Sequence, residues 1–293
     1  MAREKYRFNT RAGRVFDAFN VTLLVAVGVL ALVPFVYVTA GSFATESELA
    51  TRSFFLWPET FSLRAYEAIL TSPAFLRAMI TTIAVTAVGT VVQLVLTASM
   101  AYPLSKGNLP GRRLMLSLIV FTMVFSGGMI PTFLVVKDLG LLNTYWALIL
   151  PLAINPFSLI IIKNFFQQLP AELEESAKID GANELQTLWS VILPLSKPVL
   201  ATFALFYAVG IWNDFMSPLL YLNDNSMWTL QMFLRQVTVA TDLSIVDADP
   251  SQLPPAQGIK FAVIVVATLP ILLFYPFLQK HFAKGMLIGS VKG

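Results

Sequence analysis

Charge-free stretches dominate the pattern along this chain, and their lengths set the first reading more than any periodicity does. The uncharged runs are 18–45, 78–105, 114–136, 139–162, 198–213 and 261–279. A helix crossing about 30 Å of hydrocarbon takes roughly 20 apolar residues. Five runs meet that length. The run 198–213 is shorter, but beyond Asp214 it continues apolar as 215–223, so it also crosses, with Asp214 near one end. The pattern predicts an all-α integral membrane protein with six transmembrane helices, near 18–41, 76–103, 114–136, 143–163, 198–220 and 259–280. Residues 1–17 and 281–293 form the tails, and 18–280 form a single transmembrane domain.

Orientation follows from Lys and Arg, which concentrate on the cytoplasmic side of membrane proteins. With the first residues inside, fourteen of the 20 basic residues fall inside and six outside, namely Arg52, Arg64, Arg77, Lys137, Arg235 and Lys260. Both termini are therefore expected in the cytoplasm. The first run, at 28 residues, exceeds the roughly 7–15 apolar residues of a signal peptide and reads as a retained span. The large outer segments are 42–73 and 222–257; the one sizeable inner loop is 164–197. No internal repeat is visible.

Composition agrees and removes other classes. The chain is 56% hydrophobic and only 13% charged, with mean hydropathy +0.71, against about 25% charged for soluble domains. A net charge of +3 spread along the chain gives no nucleic-acid surface. Cysteine is absent, so thiolate metal sites and cysteine nucleophiles are excluded. The single histidine, His281, makes zinc sites and Ser-His-Asp chemistry untenable. No phosphate-cradling G-x-x-x-x-G-K-[ST] occurs. Neither catalytic nor metal-ligating residues are expected, and the energy for any work must come from elsewhere.

The inner loop has the most informative local chemistry. In 169–198, LPAELEESAKIDGANELQTLWSVILPLSKP, Pro170 suits a first helical position. Glu172, Glu174 and Glu175 follow where the helix dipole favours anions. Gly181 can take the left-handed conformation that ends a helix, and Asn183 can cap the next one. Leu185, Leu188, Trp189 and Ile192 follow at helical spacing, and Pro194 and Pro198 are expected to stop that helix. An apolar stripe on a cytosolic helix packs either beneath its own spans or into a groove on a partner.

This loop resembles the E-A-A-x-x-x-G-x9-I-x-L-P motif of ABC importer permeases. Glu175, Ser176 and Ala177 stand at the E-A-A positions, Gly181 follows, and Val191, Leu193 and Pro194 fill I-x-L-P; Ser176 and Val191 are mild departures. Asp180 before Gly181 is similar to the sugar-importer branch. So are Gly210-Ile211-Trp212-Asn213-Asp214-Phe215 with Ser217-Pro218-Leu219, and the ending from Tyr275 through Lys284-Gly285 to Gly293. The resemblance covers most of the chain from the second span onward and is weakest before residue 60 and in 237–257. The ending is similar to that of the maltose-type second permease subunit and its complex-polysaccharide relatives.

The resemblance implies a type I importer: a permease heterodimer in a bacterial cytoplasmic membrane, two ATPase subunits that bind the ATP and Mg, and an extracytoplasmic solute-binding protein. Glu174, Glu175, Ser176, Ala177, Asp180, Gly181, Leu185, Leu188, Trp189 and Pro194 would then form the coupling element seated in the ATPase. The outer loop 222–257 would face the binding protein. The substrate expected is a carbohydrate, an oligosaccharide, and on the polysaccharide likeness an acidic one such as alginate fragments. Polar groups at membrane depth are costly and mark pathways, which makes Gln93, Ser126, Gly127, Asn155, Trp212, Asn213 and Asp214 the substrate-pathway candidates. The rival reading is an ion-gradient-driven secondary carrier or channel, which has no use for an exposed cytosolic stripe.

Overall fold

The computed structural model describes residues 11–244 and 256–289, with side chains from 13–239 and 257–273. Every regular element among the described residues is helical, and the one piece of β pairing is an isolated bridge between Ala44 and Phe61. The helices are α1 Arg11–Ser42, α2 Glu46–Thr51, α3 Arg64–Leu70, α4 Pro73–Ser105, α5 Arg112–Val124, α6 Met129–Asp138, α7 Trp146–Ile149 and α8 Pro156–Gln167. They continue as α9 Ala171–Ile179, α10 Glu184–Thr187, α11 Leu193–Leu195, α12 Lys197–Trp212, α13 Met216–Tyr221, α14 Leu230–Ser244 and α15 Ala256–Gly289.

The expected first, second and sixth spans lie inside the single helices α1, α4 and α15. The others are broken. Two described helices are long and apolar enough to cross a membrane alone, Gly13–Ser42 and Pro73–Ser105, and the number rises to five if each bent pair counts as one span. The third span splits into α5 and α6 with a 117° bend. Its cause is local: Gly128 sits at φ 83°, ψ 176°, a conformation essentially reserved for glycine, and donates its N–H to Ser126 Oγ at 3.2 Å. The fourth span turns by 55° between Trp146–Leu152 and α8. Pro151 and Pro156 interrupt the ladder there, and Asn155 recaps the chain by accepting from Ser158 N at 3.0 Å. The fifth ends at Trp212 and resumes after three residues as α13.

The described residues form two compact units, 11–71 with 237–244 and 256–267, and 72–236 with 268–289. In the first, Ala40, Ala44, Leu49, Phe55 and Phe261 make the core. Tyr37 stacks on Phe54 at 5.3 Å and meets Phe261 edge-on at 5.5 Å. Glu48 is buried as the knot of the segment after α1: its carboxylate accepts from the N–H groups of Glu59 and Thr60 and from Arg52. Glu59 N–H is the main cause that holds the Glu48 carboxyl below its ordinary value.

The second unit is built on α4, which packs mainly against α12 and α8. Ala101, Ile162 and Ile192 are fully enclosed where these helices meet the inner loop. Towards the other end, Val85, Val136, Ile149, Ile211 and Tyr221 form a second core. Gly89 allows α12 to come close, since a Cβ there would lie 2.7 Å from Ile211 Cδ1.

Candidate functional site

The inner loop is two helices joined at a bend. Pro170 lies one residue before α9, as its cap, rather than at its first helical position. Glu172 and Glu174 occupy the first turn. At the far end Gly181 takes φ +83°, and its N–H and that of Ala182 return to Lys178 and Ala177 carbonyls at 3.0 and 2.9 Å. That satisfies the last carbonyls of the helix. Asn183 then forms a reciprocal capping box with Gln186, with bonds of 2.8 and 2.9 Å.

The apolar stripe does not stay on one face. Leu188–Ile192 is a π turn, whose i→i+5 bonding widens the helix. Leu188 and Ile192 go into the core, while Leu185 and Trp189 remain more than half exposed. Half of the stripe thus packs beneath the chain's own helices, and the other half is left exposed. Pro194 does not stop the helix: it falls in the first turn of α11, which follows directly on the widened π turn. The break comes at Ser196, and the path turns 84° into α12.

The loop face that turns away from the spans carries Glu175, Ser176, Asp180 and Gly181, all exposed, with Ala177 and Val191 half-buried. Ile179 stands among them at 86% exposure. The sequence reading passed over it because one aliphatic residue in a polar helix makes no stripe. Glu174 turns the other way and pairs with Lys106, just past the end of α4. Tyr102 Oη donates to Glu184 Oε2 at 2.8 Å, and Lys178 Nζ lies 2.7 Å from Glu184 Oε1. Lys178 first, then the Tyr102 hydroxyl, hold the Glu184 carboxyl below its ordinary value. A cleft of about 510 Å³ opens beside these groups, lined by Tyr102, Lys106, Leu109, Glu184, Leu185 and Leu188.

The pathway candidates fall into two sets. Gln93 and Trp212 are buried within the unit, at 4% and 7% exposure. Gln93 continues a polar column on α4 with Thr82, Thr86, Thr90 and Thr97, and Thr97 Oγ1 meets Tyr207 Oη at 3.2 Å. Ser126, Gly127, Asn155 and Asn213 are exposed and Asp214 is half-buried, all at breaks in helices. Asp214 Oδ1 accepts from Ser217 N at 3.1 Å. Irregular backbone at membrane depth is tolerated only where it is enclosed by protein or lines water, and the second set stands at such breaks.

A further residue joins that set from the outer segment, which holds an unforeseen helix. The start of α14 is pinned to α4: Leu230 is fully buried and donates its N–H to Thr82 Oγ1 at 2.7 Å, and Phe233 meets Phe75 edge-on at 5.6 Å. Its next turn carries Arg235, exposed, with its guanidinium 5.1 Å over the Phe215 ring, next in sequence to Asp214. The rest of the outer loop, 245–255, lies outside the described residues, as do the first ten residues and the last four. No group of three or more His, Cys, Asp or Glu side chains able to hold a metal occurs among the described residues.

Comparison with known proteins gives a consistent picture. The family described as "binding-protein-dependent transport system inner membrane component" matches residues 6–288. Protein LplC of Bacillus subtilis (strain 168) is 66% identical over 97% of this chain and 97% of its own length. The polygalacturonan/rhamnogalacturonan transport system permease protein YtcP of the same organism is 52% identical over 96% and 99%. Among solved structures, a bacterial ABC transporter involved in the import of the acidic polysaccharide alginate superposes with a TM-score of 0.87 at 33% identity, covering 94% of this chain and 99% of that one.

Proposed function

This chain belongs to the family of binding-protein-dependent transport system inner membrane components, and from that premise we propose how it works. It is the permease of a sugar ABC importer, and the substrate is a short acidic, uronate-containing oligosaccharide. It pairs with a second permease, and two cytosolic ATPase subunits supply ATP hydrolysis with their Mg. A solute-binding protein delivers the sugar from outside. The chain itself carries out no bond chemistry. It crosses a bacterial cytoplasmic membrane six times with both termini inside, α5 with α6, α7 with α8, and α12 with α13 each serving as one span.

The observation that carries the reading is the exposed face of the inner loop. Ile179, Leu185 and Trp189 are exposed on a capped helix pair, Leu185 and Trp189 at the lips of clefts beside α4. This arrangement costs free energy unless a partner covers it. The mode is a helix seated in a groove. When the ATPase pair closes on ATP, the loop is displaced and the spans rock between inward- and outward-open states, so access alternates at the expense of binding energy far from the sugar. The ion-driven carrier offers no such role for these residues. The acidic substrate is supported by the polygalacturonan and alginate relatives and by Arg235, a cation fixed at the helix-break wall. Guanidinium groups pair with carboxylates in two-pronged geometry.

The test is reconstitution of the full importer in proteoliposomes with its binding protein. Uptake of galacturonate or alginate oligomers should require ATP and the ATPase. Uptake that persists without them would refute the importer reading, and ATP-dependent uptake of neutral oligomers alone would refute the acidic one.

A further inference from the structure

We propose that Tyr102, Lys106, Lys178 and Glu184 lock the inner loop to the end of α4, so that α9 and α10 move as one body with that helix; they are positioning residues for transport and do not touch the sugar. The inference rests on the loop being the seat of the ATPase.

The contacts form a closed circuit. Lys106, directly after α4, pairs with Glu174 near the start of α9. Lys178, one turn further along α9, pairs with Glu184 at the start of α10. Glu184 accepts from Tyr102 on the last turns of α4, and the Lys106 ammonium lies 4.2 Å over the Tyr102 ring. Two ends of the loop are thus held at two points of one helix, which removes both the hinge at Gly181 and rotation of the loop about a single contact. Gln167 on α8 adds a strut, its Nε2 donating to the Ser105 carbonyl at 3.1 Å.

The pairs differ in their surroundings. Lys106 and Glu174 keep only 21% side-chain exposure each, whereas Lys178 and Glu184 keep 50% and 60%. Exposed pairs contribute little to stability. Cutting the circuit at the exposed Glu184, or by removing only the Tyr102 hydroxyl while its ring keeps its place in the core, therefore leaves the fold and the outward ATPase face in place, and loosens only the link between them and α4. The predicted defect is uncoupling: the ATPase still docks and hydrolyses, but its movement reaches the spans incompletely.

The assay is the complete importer in proteoliposomes with binding protein and a uronate oligomer, read as sugar taken up per ATP hydrolysed. Tyr102→Phe and Glu184→Gln should each lower that ratio by roughly fivefold or more, the low end of ordinary coupling effects, with the ATPase still co-purifying. Lys106→Glu should lower it too, and adding Glu174→Lys should restore at least half, while ATPase co-purification and thermal unfolding of the single variant stay at parent values, which a merely structural role would not allow. An unchanged ratio in Tyr102→Phe and Glu184→Gln overturns the proposal, as does failure of the exchanged pair to restore it. Gly181→Trp in the same assay separates the layers. If it strips the ATPase while the circuit variants stay fully coupled, the circuit alone is wrong. If it leaves docking and uptake intact, the docking reading falls and the circuit with it.

Discussion

Four residues spaced alike in sequence, Leu185, Leu188, Trp189 and Ile192, meet opposite fates, and the difference is measurable. Ile192 is fully enclosed and Leu188 is 5% exposed. Ile192→Ala or Leu188→Ala should lower the stability of the purified subunit by about 2–5 kcal/mol, the cost of a large-to-small change in a packed core. Leu185→Ala and Trp189→Ala should change stability by about 0.5 kcal/mol or less, yet weaken ATPase co-purification by roughly tenfold, as loss of an interface anchor does. Equal destabilisation by all four in a thermal unfolding assay would contradict the split. Glu48 makes a second residue-scale case. Its carboxyl is held below its ordinary 4.5 by the Glu59 N–H and others, so the charged form is favoured by the fold. The contribution is then complete at pH above 4.5 and is lost as pH falls through the lower folded-state value. Glu48→Gln should show at neutral pH the faster proteolysis of residues 52–71 that the parent shows only in acid. Matching cleavage of parent and variant at neutral pH would remove Glu48 as the knot.

Helices made this protein legible and also hid parts of it. Charge-free length alone marked the stretches that α1, α4 and α15 occupy as single helices, because hydrocarbon tolerates little else. The same criterion is blind to backbone direction, so the third, fourth and fifth runs read as straight although each contains a break. Their signals were present in the chain: Gly127-Gly128, then Pro151 and Pro156, then Asn213-Asp214. Prolines and glycines are common in membrane helices, however, and only the fold shows which are used. The capped pair in the inner loop was readable residue by residue, since Gly181 and Asn183 act on immediate neighbours. The inward turn of Glu174 was not, because Lys106 lies 68 residues away. Two predictions belong here. Gly128→Ala forces a side chain into a conformation that costs about 1–3 kcal/mol, and it should depress uptake while ATPase association stays normal; normal uptake would mean the 117° break has no part in the pathway. Gly181→Ala should cost about 1–2 kcal/mol for its left-handed backbone without a clash, since nothing lies within 4 Å of a Cβ there. Gly181→Trp carries the same strain and adds bulk to the partner face. A larger loss of ATPase binding with Trp than with Ala identifies that face as the docking surface; equal losses assign the effect to strain.

For the molecule as a whole, the proposed acidic substrate raises the issue of how a chain with only 13% charged residues would select a charged sugar. A cation inside hydrocarbon is expensive, and a mobile one at the surface is screened within about 8–10 Å. Arg235 sits on a helix whose first turn is buried against α4, with its guanidinium over the Phe215 ring, an arrangement that would meet both constraints if this helix lies in the expected outer loop. Stacking leaves the donors at the rim of the guanidinium available while limiting its rotamers. Asp214, next to Phe215, is engaged with Ser217 N, and Asn213 is exposed beside it as a neutral donor and acceptor. An anionic sugar passing this wall gains a charge-assisted pair that a neutral sugar of equal size does not. Arg235→Gln should therefore raise the half-saturating concentration for uronate oligomer uptake by roughly tenfold, one charged hydrogen bond's worth. Uptake of any neutral oligomer the importer accepts should be untouched. Arg235→Lys should recover only part, because an ammonium lacks the two-pronged fit and the flat face. High salt should shrink the difference between parent and Gln variant. A uniform loss for charged and neutral sugars, accompanied by loss of binding-protein-stimulated ATP hydrolysis, would instead assign Arg235 to docking of the binding protein and remove it from sugar selection.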